Sequence, residues 1–308
     1  NLTIGGYRPG KDPVPVPAAP PRAAPVPDEK VEKDGPVSGR VYRGARCIVR
    51  AGEGVPEPEM AAAAKPADWA LGELERLLGK PLPTPLVIRL HGPSDVSIMN
   101  FQPGSFVLPT GEGTLAAAVA APAIPRGGEL IHELTHHCVG VAVGAPRTDA
   151  MPGGASFPRL LNEGLAEALR WRWVGEANGG SRDNLGHLRL VRAAPASQAR
   201  RGVHEILSFS GYASRLRAED ASHFAHGWAL ASFLLERPQA PACLRAVVEG
   251  VRGGADGTAA FDAAVRAAFH ESPEVFEAAW RRWVDERWEG VLRAARQALD
   301  GAPAQAES

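Results

Sequence analysis

An α+β fold, with a small mixed β-sheet in the N-terminal half and a mainly helical second half, follows from two patterns in the sequence. Short β-branched or alternating runs bounded by Pro and Gly crowd residues 41–122. Helix-period apolar stripes, several with recognisable start signals, fill most of residues 127–299.

The chain divides before those patterns begin. Residues 11–27, KDPVPVPAAPPRAAPVP, hold seven prolines among small or charged companions, a composition that favours solvated polyproline II and builds no core. Residues 1–37 are therefore expected to be a disordered tail or spacer, residues 38–300 one domain, and residues 301–308 a second disordered tail. Within the domain, 38–126 form the α/β part and 127–300 the helical part. VYRGARCIVRAG (41–52) predicts one strand, Glu57 to Leu78 a helix, and PLVIRLHG (85–92) a second strand. SFVLP (105–109) and TLAAAVAAP (114–122) predict two more, with Gly111 and Gly113 turning between them. Helices are predicted over Gly127 to Val139, Pro158 to Trp173, Ala221 to Glu236, Pro241 to Val251, Gly257 to Phe269 and Pro273 to Leu299. The last begins with a capping hydroxyl, a proline and an acid in Ser272-Pro273-Glu274.

Composition narrows the function classes. The 308 residues are 44% hydrophobic and 22% charged, ordinary for a globular protein with a substantial core. A net charge of -1 gives no global electrostatic reason to bind nucleic acid or an anionic membrane. No apolar run approaches the roughly 20 residues that a spanning helix needs. Cys47, Cys138 and Cys243 are too few for a disulfide framework and too scattered for a metal cluster, so buried free thiols are expected. The sequence starts at Asn1, as a removed leader or a trimmed chain would leave it. With the proline spacer, this makes export the expected location. Oligomeric state is left open.

The chemistry concentrates in GGELIHELTHHCVG. His132-Glu133-Leu134-Thr135-His136 is an HExxH match, and two histidines four residues apart lie one turn above each other on the same helix face. Both imidazoles can therefore reach one ion, and neutral imidazole nitrogen suits Zn²⁺. Glu133, beside His132, is placed to hold and deprotonate a water as general base. His137 points about 100° from His136, which makes it a neighbour of the site or a surface residue. Gly140 is expected to stop the helix.

Downstream, PRLLNEGLAEALRWRW forms an amphipathic helix with Asn162-Glu163-Gly164-Leu165-Ala166-Glu167 at its centre. HExxH followed by NEG(F/L)A on a second helix resembles the gluzincin metallopeptidases, including the aminopeptidase N and thermolysin groups. That resemblance implies a zincin-like fold, a peptide or protein substrate, Zn²⁺ as cofactor, and Glu163 as third ligand. Asn162 would flank the ligand, and Glu167 would hydrogen-bond the first histidine. HFAHGWALASFLLER (223–237) and FEAAWRRWVDE (276–286) are similar to helices of the peptidase MA-like members, extending the likeness over about residues 40–290.

One departure stands out. Aminopeptidase-like gluzincins carry a tyrosine that donates to the oxyanion, and the matching position here is Phe224. His226, His223 or Tyr212 are the alternative donors, or the donor is absent and the chain is a zinc-binding scaffold with weak activity or none. No GAMEN-like segment is found, so endopeptidase activity is expected over aminopeptidase activity. TLAAAVAAP is expected to pair with the substrate backbone at a sheet edge, as strands beside the zinc helix do in this clan.

Overall fold

A computed structural model describes residues 40–51, 55, 57–82, 84–91, 106–111, 114–118, 127–144, 157–178, 185–192, 202–209 and 218–300. The expected tails over 1–37 and 301–308, and Tyr212, lie outside them. The sheet runs β1 (Arg40–Arg43), β2 (Cys47–Ala51), β3 (Leu86–His91), β4 (Phe106–Gly111) and β5 (Thr114–Ala118) along the chain. In space the order is β1-β2-β3-β5-β4, with β2, β3 and β5 parallel and the outer two strands antiparallel to their neighbours.

Of the run 41–52, expected as one strand, the described residues 41–51 form a hairpin. Its turn is made by a contact distant in sequence: Asp68, on helix α1 (Glu57–Leu78), accepts hydrogen bonds from the backbone N–H groups of Ala45 and Arg46, each at 2.7 Å. Across the turn the Gly44 N–H donates to the Cys47 carbonyl at 2.8 Å. Two strands result because the turn's N–H donors find a carboxylate instead of a neighbouring strand.

Period-2 burial places Cys47, Val49 and Ala51 of β2, and Leu86, Ile88 and Leu90 of β3, in the core, where α1 packs on β1 and β2. Helix α2 (Gly128–Val143) lies beside α1 and over β4, burying Leu130, Ile131, Leu134, Cys138 and Val139. It runs through Gly140 and stops at Gly144, which takes the left-handed conformation (φ 78°) and donates its N–H back to Gly140 and Val141 carbonyls. A glycine ends a helix only where the chain turns left-handed, and the turn falls four residues later than expected.

The remaining helices are α3 (Arg159–Asn178), α4 (Leu185–Arg192), α5 (Val203–Leu207), α6 (Ala218–Glu236), α7 (Ala240–Arg252), α8 (Gly257–Phe269) and α9 (Pro273–Asp300). Of these, α4 and α5 lie where no helix is expected, although α4 buries Leu188 and Val191 at helical spacing. Ser272 Oγ caps α9 through the Val275 N–H at 3.3 Å, as its sequence predicts. All three cysteines are buried free thiols. No helix among the described residues is long and apolar enough to cross a membrane.

The packing that positions the site is the crossing of α3 and α6. A Cβ built on Gly164 would lie 2.0 Å from the Gly227 carbonyl oxygen, and one on Gly227 would lie 2.4 Å from the Leu160 carbonyl oxygen. The two backbones touch, which only paired glycines allow. Gly164→Ala should therefore cost about 3 kcal/mol or more, since backbone cannot move aside as a flexible side chain can. Gly72→Ala, with nothing within 4 Å of the new methyl, should stabilise by about 0.5–1 kcal/mol. Urea denaturation of both variants checks the contrast.

Candidate metal centre

Helices α2 and α3 pack side by side, and three groups from them converge. His132 and His136, one turn apart on α2, bring their Nε2 atoms to 3.1 Å from each other. Glu163 on α3 places its Oε2 3.4 Å from each of those nitrogens. A tetrahedral zinc with bonds of about 2.0–2.1 Å holds its ligand atoms about 3.3 Å apart. The triangle of 3.1, 3.4 and 3.4 Å therefore has the size of one face of such a coordination shell. Among the described residues these three form the group able to hold a metal ion. Two imidazoles, one carboxylate and one vacant corner make the donor set of a hydrolytic zinc site, so the residues fit the ion.

The outer contacts of the triangle set its protonation. His132 is 1% exposed, and its Nδ1 lies 3.2 Å from Glu167 Oε1. A proton on Nδ1 facing that carboxylate leaves the Nε2 lone pair aimed into the triangle, the tautomer that a metal needs. Glu167, itself 5% exposed, also has Arg170 Nη1 at 3.4 Å and His187 Nε2 at 3.9 Å. Burial alone would pull the His132 pKa down, but the Glu163 and Glu167 carboxylates outweigh it and lift the group to about 9. Glu133 adds to that lift, so its charge is felt at His132 from its half-buried place on the same helix. For Glu163, burial pushes upward, yet His132 and His136 hold the carboxyl far below its ordinary value. A cluster that draws a proton onto His132 is one with negative charge to spare for a cation.

The remaining candidates sit elsewhere. Asn162 is 8% exposed, with its Oδ1 buried and without a hydrogen-bond partner among the described residues. His137, allowed as a surface residue, is instead 3% exposed, with both ring nitrogens unpartnered among the described residues and its pKa lowered by burial. His226 is 1% exposed; its Nδ1 meets the Ser222 carbonyl at 2.7 Å and its ring lies 6.4 Å from that of Trp280. His223 stacks on Phe209 with ring centroids 4.1 Å apart. Neither joins the metal triangle. Both are engaged by the packing of α6, and Phe224 beside them is buried with no hydroxyl to offer.

Two residues that sequence reasoning missed belong to the site's surroundings. Arg170 stands three residues after Glu167, a spacing that could have revealed it. His187 sits on α4, an amphipathic helix that buries Leu188 and Val191, but nothing in its own neighbourhood pointed to the site. The expected substrate strand also needs correction. β5 pairs with β3 on one side and β4 on the other, so it has no open edge; β4 is the outer strand.

No family model matches the chain, and no curated protein matches it. Among solved structures the chain is similar to a mutant M1 zinc metallopeptidase from Deinococcus radiodurans, with and without a bound Tyr-Ser-Ala substrate. Identity is 18% and the TM-score 0.43 for both, with 78% and 79% of this chain covered. The chain spans about half the length of those structures, 51% and 50% respectively.

The metal-free protein should show a specific pH dependence. Folding raises the His132 pKa from 6.5 to about 9, so its proton stabilises the fold below pH 6.5, and that contribution is lost as pH climbs toward 9. Glu163 acts oppositely: its stabilisation is present above 4.5 and is lost as pH falls below that value. The Tm of chelator-treated protein should fall between pH 6.5 and 9. Zinc, which takes the place of the His132 proton, should remove that fall. A flat Tm over this window without metal would contradict the cluster's charge balance.

Proposed function

We propose that this chain is a zinc-dependent peptidase, with His132, His136 and Glu163 as ligands and Glu133 as general base. The observation that carries the reading is the triangle of two Nε2 atoms and one carboxylate oxygen with edges of 3.1–3.4 Å. Zinc held there supplies a Lewis acid that polarises a scissile carbonyl and makes a water acidic near neutral pH. Glu133 accepts that water's proton and delivers one to the leaving amine. Glu167 keeps the His132 proton on Nδ1 and so keeps its Nε2 available. The substrate backbone pairs with the outer strand β4, which runs antiparallel to β5 and lies against α2. Endopeptidase action is preferred over aminopeptidase action, because no GAMEN-like segment is present to hold a substrate amino terminus. Export belongs to the same proposal.

A second reading, a zinc-binding scaffold with little or no turnover, has one observation in its favour. The position expected to supply an oxyanion donor is Phe224, while His226 spends its Nδ1 on the Ser222 carbonyl and His223 stacks on Phe209. Cleavage of a peptide library, with and without chelator, separates the two: chelator-sensitive cleavage excludes the inert scaffold.

Glu133→Gln should leave one zinc per chain by elemental analysis and lower kcat by at least about 100-fold. His136→Ala should lose the metal itself. Full activity in the first variant would remove Glu133 as base, and a wild-type protein without stoichiometric zinc would remove the peptidase reading altogether.

A further inference from the structure

Glu167 is held by more than the metal ligand it supports. Its side chain is 6% exposed, and a buried carboxylate is costly unless its oxygens are paired. Oε1 faces His132 Nδ1 at 3.2 Å and Arg170 Nη1 at 3.4 Å, both from the α2–α3 pair itself. Oε2 is approached from outside that pair, by His187 Nε2 at 3.9 Å, an ion-pair distance. The His187 side chain is 21% exposed, yet its Nε2 is closed to solvent, so the ring turns that nitrogen inward and leaves the rest of its edge outside. Trp228 of α6 fixes the orientation, with ring centroids 5.8 Å apart and planes at 70°. Trp228 is fully buried and follows Gly227, the residue whose backbone touches Gly164.

We infer that His187 is a positioning residue for the metal centre: through Glu167 it fixes the orientation of His132, so that helix α4 sets the zinc affinity without touching the ion. The two oxygens of Glu167 then face partners on two sides, and a protonated His187 opposes rotation of the carboxylate away from His132 Nδ1. Loss of an outer partner of this kind weakens metal binding while leaving the ligands in place. The inference rests on the zinc reading and is tested apart from it.

The experiment measures zinc affinity by chelator competition, and the visible spectrum of the cobalt-substituted protein, in wild type and two variants. His187→Phe keeps an aromatic ring against Trp228 and removes the nitrogen; His187→Gln removes the ring and keeps an N–H donor at the reach of Nε2. The Phe variant should bind zinc about tenfold more weakly, at the low end of the effects of outer-shell substitutions, with a shifted cobalt spectrum. The Gln variant should stay within about twofold of wild type. In a Glu167→Gln background, His187→Phe should cause no additional loss. A role in packing alone predicts the reverse order, with Phe tolerated and Gln impaired, and that order overturns the inference, as does equal affinity in all three proteins. Thermal denaturation of the metal-free variants identifies any that fail to fold, and the other variant then decides. If wild type itself binds no zinc, the metal reading fails, and that outcome is distinct from either result above.

Discussion

Three groups that would ordinarily repel or compete for protons are held within 3.4 Å of one another at the junction of α2 and α3. Two imidazole lone pairs and a carboxylate oxygen at that separation need a positive charge among them, either protons or a metal ion. Several contacts around the junction maintain that proximity, and Glu167 and Arg170 take part in its charge balance. The raised pKa of His132 and the depressed one of Glu163 are two views of the same constraint.

Proximity is maintained by contacts that leave little freedom to α2 and α3. The start of α2 is pinned where Gly127, at φ 64°, lies beneath the Pro66 ring of α1; a Cβ there would be 2.4 Å from Pro66 Cγ. Its end is tied by Arg252 of α7, whose Nη1 donates to the Ala142 carbonyl at 3.0 Å, a cation placed where the helix dipole is negative. α3 is bound to α1 by Arg172 and Glu73 at 2.8 Å and pressed backbone to backbone on α6. The glycine of the NEG segment thus has a packing reason: any side chain at Gly164 would push the helix carrying Glu163 away from α6.

The expected oxyanion donors are less defined than the metal triangle: Tyr212 lies outside the described residues, and Phe224 carries no hydroxyl. The outer strand β4 lies beside α2, and His226 and His223, weighed as oxyanion donors, each make a contact within the packing of α6. The contrast between the compact triangle and Phe224 at the expected donor position is what the scaffold reading rests on.

By itself the sequence determined what depends on near neighbours along the chain. The spacing of His132 and His136 places both on one helix face through the 3.6-residue period alone, and the same rule puts Glu163 and Glu167 on one face of the next helix. Ser272 and Pro273 mark the start of α9 because capping involves only adjacent backbone. What only the tertiary structure decided are the matters settled between distant segments. Asp68 turns residues 41–52 into a hairpin across more than twenty residues of chain, and strand order puts β4 rather than β5 at the edge. Tertiary packing also decides that His226 turns its Nδ1 to the Ser222 carbonyl and sets its ring near Trp280. The periodicity of α4 can mark the helix but not that His187 reaches Glu167, because a contact between distant segments leaves no periodic trace in either one.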